Sequence, residues 1–168
     1  MKSNKIKFRT NKNPVAKATF IALGADINKE VIEIEDLKEK LEADVVQAGE
    51  GIYSRIYPLD QNEVTESVLD TRHSLFLTSM IMRNDFYEKL SPEVQAVLKN
   101  AALKAGRKER ETTILDGEEA KAKLKAEGIE IHELTPEEKA EFVEKTKVVY
   151  EEFKDKFTPG LIDKIKKA

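Results

Sequence analysis

The side chain with the clearest chemical use in this chain is Arg9, which closes a stretch of alternating basic and apolar residues. Residues 5–9 read Lys-Ile-Lys-Phe-Arg, and this period of two predicts a short strand. Asn13 and Pro14 follow, and a capping amide before a proline predicts the start of a helix. A guanidinium at a strand end can hold a carboxylate through two parallel hydrogen bonds, beside the unpaired N–H groups of the helix. The spacing therefore suggests an anion site at Arg9 and Asn13, with a solvated arginine as the alternative.

Two further groups could contribute to such a site. Glycines flank Glu50 at positions 49 and 51, where they would let backbone approach a ligand or simply form a tight turn. The pattern of a phosphate-binding loop is missing there, so a nucleotide is not indicated. Arg72 and His73 precede a long apolar stretch, and they could form a second anion contact, a pH-sensitive group or a strand end reaching the surface.

The composition excludes several kinds of site. The chain has no cysteine and two histidines, which excludes thiolate zinc sites, iron–sulfur clusters, cysteine nucleophiles and histidine-rich metal centres. No Ser-His-Asp arrangement, zincin motif or paired-acid motif is present in the sequence. Most carboxylates lie at helical spacing from lysines, as on a solvated helix face. We therefore expect a protein that is not an enzyme and that needs no cofactor and no metal.

Length and charge restrict the class of protein further. The 168 residues suit one domain, and 29 basic against 32 acidic residues leave a formal net charge of −3, which provides no field for nucleic acid. The longest uncharged run, Ser74–Met82, is too short to span a bilayer, which takes about 20 residues. No signal-peptide pattern follows the basic start, so we expect either a cytoplasmic chain or one whose leader has been removed.

The fold class follows from alternating elements in the first half. Strands are expected at residues 5–9, 31–34 and 44–48, with helices after Asn13 and Glu35, and this order predicts a doubly wound parallel sheet. Ser74–Met82 has the composition of a strand buried on both faces. Residues 84–168 are mainly helical by contrast.

The helical half carries clear start signals. Ser91-Pro92 predicts a helix running to about Glu127, and Thr135-Pro136 predicts another with a capping box. An edge strand is expected at residues 128–132, and a basic helix at 161–167.

The order of these motifs resembles the second lobe of the solute-binding proteins of tripartite ATP-independent periplasmic (TRAP) transporters. The segments that carry the resemblance cover nearly the whole chain and appear in the family's order: residues 5–9, 13–14 with 19–25, 34–37, 44–51, 52–57, 71–79 and 86–95. The resemblance implies a periplasmic protein with two α/β lobes that close on a small organic carboxylate and deliver it to TRAP membrane subunits.

The resemblance also implies which residues touch the ligand. The family's usual carboxylate anchor is an arginine at the end of this strand, which matches Arg9. An asparagine often follows the third strand, where this chain has Gly51, and an aspartate and an aromatic residue often occupy the positions of Gln47 and Ile34. The candidate ligand-binding residues are Arg9, Asn13, Glu50, Gly51 and Arg72.

The chain is shorter than members of that family, which carry a whole first lobe before this segment. We therefore expect one flavodoxin-like lobe over residues 1–168, cut out or engineered, with an alternating half (1–83) and a mainly helical half (84–168). Ser74–Met82 would then join its sheet, pair with a second copy in a homodimer, or stay exposed. Ligand binding should be weak or lost, and the alternative is a self-associating structural domain with no ligand.

Overall fold

A computed structural model describes residues 5–167, which form a helix-rich α/β chain with short strands. The strands are β1 (Lys7–Arg9), β2 (Asp26–Ile27), β3 (Ala48–Gly49), β4 (Ser67–Asp70) and β5 (Glu130–Glu133). The α-helices are α1 (Pro14–Ala22), α2 (Leu37–Glu42), α3 (Tyr53–Ile56), α4 (Asn84–Tyr87), α5 (Pro92–Ala126), α6 (Pro136–Glu152) and α7 (Leu161–Lys167). No helix among these combines enough length and apolarity to cross a membrane.

The first sheet is parallel and has β1 at its centre, in the order β2-β1-β3. Phe8 pairs with Ile27 on one side and with Ala48 on the other, and Arg9 pairs with Gly49. The chain therefore runs outward from β1 to β2 and then returns to the opposite side for β3. In open α/β sheets, this reversal leaves a crevice at the carboxyl ends of the strands, and Arg9 lies at that end.

Helix α1 begins and ends where its sequence signals place it. The side chain of Asn13 accepts a hydrogen bond from the backbone N–H of Val15 at 2.8 Å, and Gly24 adopts a φ of +98° just after the helix. Phe20 is buried and stacks on Phe8 with ring centroids 4.3 Å apart. This aromatic pair attaches the helix to the central strand.

A small core lies beneath the other side of this sheet. Ile32, Leu37 and Val46 are buried together, with Leu41 packed against them. A Cβ at Gly49 would stand 2.9 Å from a Leu37 methyl carbon, so only glycine lets β3 pass this close to α2. The tight approach holds the end of β3 in place beside β1.

The expected strand at residues 31–34 is wrong, and the strand expected at 44–48 is confirmed only at its carboxyl end. Residues 31–33 have no regular structure and residues 34–36 form a 3₁₀ turn, because side chains from β1 and from residue 61 take the carbonyls of Ile32 and Ile34. Only Ala48 of the third expected strand pairs, because Asp44 has a φ of +51° and turns the chain before it. Strand β2 forms instead at residues 26–27.

A second parallel sheet replaces the single sheet that the sequence predicted. Strand β4 pairs with β5 over four residues, from Ser67 with Glu130 to Asp70 with Glu133. Helix α5 packs across it through the buried side chains of Ala120 and Leu124. The α/β class with parallel strands is confirmed, whereas the single flavodoxin-like sheet is wrong, because β4 finds its partner in residues 130–133 and not in β1–β3.

Ser74–Met82 forms no strand and pairs with neither sheet. Its side chains are exposed on both faces, with Leu75 81% exposed and Ile81 92% exposed. Helix α5 begins at Pro92, soon after this segment in sequence. The apolar side chains of Val97, Ile114 and Leu115 on this helix are also exposed. Of the three expected outcomes for this segment, the chain by itself shows the exposed one.

Candidate functional site

Arg9 is buried and its guanidinium is held in a fixed orientation at the carboxyl end of β1. The residue is 6% exposed, its Nε donates to the carbonyl of Ile32 at 2.8 Å, and its Nη1 donates to the carbonyl of Glu50 at 3.3 Å. Burial lowers the pKa of Arg9, and the nearby carboxylates of Glu50, Glu33 and Glu35 act in the opposite direction. An arginine remains a cation under these conditions, so a fixed positive charge stands at the sheet edge.

Glu50 joins the loop after β1 to the chain at residue 73. Its carboxylate accepts from the Thr10 hydroxyl, from the backbone N–H and side-chain amide of Asn11 at 3.0 and 2.9 Å, and lies 3.0 Å from Nε2 of His73. Burial would raise the pKa of Glu50, but hydrogen bonds from His73, Thr10 and Asn11 outweigh it and lower the pKa to about 2. Glu50 therefore positions the segments around Arg9, while the direct ligand contact expected from the sequence remains a prediction.

Gly51 follows the carbonyl that accepts from Arg9 and lies next to a second polar side chain. The peptide that joins residues 50 and 51 carries the carbonyl bonded to Arg9, and the nearest atoms to a Cβ at Gly51 would stand 3.9 Å away. These atoms belong to the side chains of Gln61 and Ile34. A methyl group at this position would therefore be in ordinary contact with the Gln61 side chain.

That second side chain, Gln61, carries no recognisable signal in the sequence. It is 6% exposed and lies in a 3₁₀ turn, Gln61–Val64, and its Nε2 donates to the carbonyl of Ile34 at 3.1 Å. Its neighbours in sequence are not catalytic or ligand-binding motifs, and only the tertiary structure brings it to Gly51. Sequence reasoning missed it for that reason.

Two polar atoms of these buried side chains keep contact with solvent. Within residues 5–167, no hydrogen bond reaches Nη2 of Arg9 or Oε1 of Gln61. In the same part of the chain, the solvent-inaccessible side-chain atoms that lack a hydrogen-bond partner are the hydroxyl oxygens of Tyr53 and Tyr57. Nη2 of Arg9 and Oε1 of Gln61 are not among these inaccessible atoms, so one donor and one acceptor remain accessible to solvent.

The remaining candidates from the sequence lie around this edge with other partners. Asn13 caps α1, and the Arg72 guanidinium is exposed and pairs with Asp70 through Nε at 3.3 Å and Nη2 at 3.2 Å. His73, the neighbour of Arg72, is the residue that reaches Glu50. The structure thus brings together Arg9, Glu50 and Gly51, with Asn13 at the start of the adjacent helix.

Metal chemistry finds no support among the residues that the structure describes. No group of three or more histidine or carboxylate side chains is arranged there to hold a metal ion. The acidic residues near Arg9 are instead engaged in pairs, Glu33 with Lys12 at 2.5 Å and Glu35 with Arg55 at 2.7 Å. The carboxylates of Glu33 and Glu35 are therefore already paired with cations.

Comparison with known proteins assigns the family. Residues 3–156 match the family model described as bacterial extracellular solute-binding protein, family 7. The ectoine/5-hydroxyectoine-binding periplasmic protein UehA of Ruegeria pomeroyi is 30% identical over 102 residues, which are 61% of this chain and 30% of that protein. The C4-dicarboxylate-binding periplasmic protein DctP of Shewanella loihica is 26% identical over 161 residues, covering 94% of this chain and 46% of that protein.

Solved structures of TRAP solute-binding proteins share the fold. A TRAP periplasmic solute-binding protein from Ochrobactrum anthropi superposes with a TM-score of 0.84 at 27% identity, over 95% of this chain and 49% of that one. The ectoine-binding protein of the TeaABC TRAP transporter from Halomonas elongata gives 0.82 at 27% identity, over 94% and 51%. The chain spans about half the length of these two structures, and it spans less than half the length of the two curated relatives. With this match in sequence and fold, the chain belongs to the TRAP-type bacterial extracellular solute-binding proteins of family 7.

Proposed function

We propose that this chain forms the arginine-bearing half of a cleft that captures a small organic carboxylate, and that it binds such anions only weakly by itself. The observation that carries the proposal is the buried, fixed guanidinium of Arg9 at the crevice of the first sheet, with Nη2 open to solvent. Nη2 carries two N–H groups, which can donate charge-assisted hydrogen bonds to a carboxylate.

The names of the relatives support the class of ligand. Ectoine, C4-dicarboxylate and D-glucuronate appear in the descriptions of proteins that match this chain. A molecule of that class carries a carboxylate that Arg9 could bind, with Asn13 and Arg72 as additional polar contacts. The complete binding protein would then deliver its solute to TRAP membrane subunits in the periplasm, and no catalytic step is part of this role.

Weak binding follows from the size of the described half. Small-molecule sites enclose most of the surface of their ligand, whereas Arg9 lies at one open edge with a wall on one side. Because a second wall contributes further contacts and excludes water, we expect dissociation constants of about 1 mM or weaker for simple carboxylates.

The test is an NMR titration of the isotopically labelled chain with succinate and glucuronate. In the unmodified chain, the backbone signals of residues around Arg9 and Gly51 should shift in a saturable way. Arg9→Gln should weaken binding by roughly tenfold or more, because it removes the positive charge and its charge-assisted hydrogen bonding to the carboxylate. Arg83→Gln serves as the control, since its guanidinium is exposed and paired with Asp85. Unchanged binding by a folded Arg9→Gln variant would contradict the proposal.

A second candidate function is self-association, and the exposed Ser74–Met82 segment favours it. This segment has unpaired backbone groups and apolar side chains on both faces, which is the composition of an interface rather than of a solvated loop. Two copies could pair these segments and cover them with the exposed apolar residues of α5.

Light scattering tests this candidate. A homodimer should dissociate when Phe76 or Leu77 is replaced by glutamate, because a charge cannot be buried unpaired in such an interface. Ile21→Glu is the matched control, since Ile21 is also exposed but lies on α1. A monomer at all concentrations, or a dimer that persists in both segment variants, would rule out pairing through residues 74–82.

A further inference from the structure

Gln61 is oriented by the structure so that its side-chain oxygen lies beside Gly51. The carbonyl of Ile34 can only accept a hydrogen bond, so the amide group 3.1 Å from it must be the NH₂ of Gln61. This fixes Oε1 on the opposite side, 3.9 Å from the position that a Cβ at Gly51 would occupy. The acceptor therefore has a defined direction even though no ligand is bound.

The surroundings hold this orientation firmly. The backbone carbonyl of Gln61 accepts from the Thr65 hydroxyl at 2.7 Å, and the preceding residue, Asp60, adopts a left-handed conformation with a φ of +51°. With only 6% of the residue exposed, the amide cannot swing into solvent without breaking its bond to Ile34. Gln61 is thus a rigid acceptor and not a flexible surface side chain.

Arg9 and Gln61 bind to neighbouring parts of one segment. Arg9 donates to the carbonyl of Ile32 and Gln61 to that of Ile34, which are two residues apart in sequence. Arg9 also donates to the carbonyl of Glu50, and Oε1 of Gln61 lies beside the next residue, Gly51. A ligand that binds Nη2 of Arg9 and extends along the Glu50–Gly51 peptide would therefore come next to Oε1 of Gln61.

We propose that Gln61 is a specificity-determining residue that selects carboxylates with a hydroxyl or amino group close to the carboxylate, and this rests on the function proposed above for Arg9. A hydroxyl donates to Oε1, whereas a ligand without it covers this acceptor and leaves it unpaired. A buried acceptor that loses water and gains no partner destabilises the complex, which is how such sites reject analogues that lack the hydroxyl. The favoured ligands are hydroxy acids, sugar acids and amino acids rather than unsubstituted carboxylates.

The experiment compares matched pairs of acids by NMR titration of the full chain. Malate against succinate, and lactate against propionate, differ by one hydroxyl next to a carboxylate. The unmodified chain should bind each hydroxy acid about fivefold more tightly than its partner, as expected for one hydrogen bond. The side-chain NH₂ signal of Gln61 should shift with the hydroxy acids and stay in place with the others.

Variants separate this role from a structural one. Gln61→Met keeps the length of the side chain but removes the acceptor, and it should bring the two acids of each pair to within about twofold, partly because succinate and propionate no longer leave an acceptor unpaired and bind more tightly. Gly51→Ala should also reduce the preference by narrowing the space, and it leaves Gln61 intact in case the methionine variant does not fold. Gln95→Met, whose amide bonds to the carbonyls of Tyr87 and Leu90, should keep the preference.

The outcomes distinguish this inference from the proposed function. If Arg9→Gln abolishes binding but the hydroxy acids show no preference, or if their preference survives in Gln61→Met and Gly51→Ala, the role of Gln61 is wrong and the carboxylate site stands. If binding does not depend on Arg9, or none of the four acids binds, both are overturned.

Discussion

At the scale of single residues, the edge of the first sheet is organised by one carboxylate. Glu50 binds the loop after β1 through Thr10 and Asn11, and it binds the chain after β4 through His73. Its own backbone carbonyl orients the guanidinium of Arg9. A single ionised side chain thus fixes the position of the loop, the cation and the beginning of the exposed segment.

The ionisation of Glu50 predicts how stability depends on pH. Its pKa is about 2 in the folded chain, against an ordinary value of 4.5, so the folded state favours the ionised form. This contribution is complete above the ordinary value and is lost as the pH falls through the folded value, between about 4.5 and 2. We expect Glu50 to contribute at most about 3 kcal/mol to the free energy of unfolding at neutral pH.

Urea denaturation at pH 7, 4 and 2.5 measures this dependence. Glu50→Gln should lower the free energy of unfolding at pH 7 and flatten its fall toward pH 2.5. Glu66→Gln is the control, because Glu66 is an exposed carboxylate away from the Glu50 site. If the two variants have the same pH profile, the hydrogen bonds of Glu50 do not stabilise its ionised form in solution.

At the scale of elements, two glycines with opposite surroundings show where packing restricts the backbone. Gly49 lies at the end of β3, where an added Cβ would come within 2.9 Å of the buried side chain of Leu37. Gly106 lies inside α5 with no atom within 4 Å of the position of a Cβ. One glycine is required by the contact between β3 and α2, and the other weakens a solvent-exposed helix.

Alanine at each position should therefore have opposite effects. Gly49→Ala forces Leu37 to move in a packed core and should destabilise the chain by ~1–3 kcal/mol. Gly106→Ala should stabilise it by up to ~1 kcal/mol, because glycine is less favourable than alanine in a helix interior. Thermal unfolding followed by circular dichroism gives both values. Equal effects of the two substitutions would show that β3 does not pack on Leu37 as described.

At the scale of the whole molecule, the described chain leaves a large apolar surface without a partner. Residues 71–83 lack regular secondary structure, and much of α5 up to Leu115 has exposed side chains. Ala120 and Leu124, near the other end of α5, are buried instead. The exposed segment begins next to His73, which contacts Glu50 beside Arg9, so association through this segment would border on the Arg9 site.

Hydrogen exchange tests whether self-association covers residues 74–83. In a monomeric sample, the backbone amides of residues 74–83 should exchange within seconds, because they lack hydrogen-bond partners in the ladders, while Phe8 and Val149 should be protected. In the self-associated form, the protection of residues 74–83 should rise with concentration, and Phe76→Glu should reverse it. Protection that does not depend on concentration would mean that the segment pairs within one chain.

The sequence predicted the elements whose signals are local. The starts of α1, α5 and α6 follow from Asn13-Pro14, Ser91-Pro92 and Thr135-Pro136, because a cap residue and a proline act within one turn of the helix. The alternating residues before Arg9 identified β1, and alternation also located β5 near residues 130–133. The family and the parallel α/β class were also predicted correctly.

The sequence by itself determined that a cation ends a strand next to a helix start and that the chain contains no cysteine. Only the tertiary structure decided that β4 pairs with β5, 63 residues apart, that Glu50 binds His73, and that Gln61 faces Gly51. The physical reason is that caps and alternation act between neighbouring residues, whereas these contacts depend on long-range packing, which no short stretch of sequence encodes.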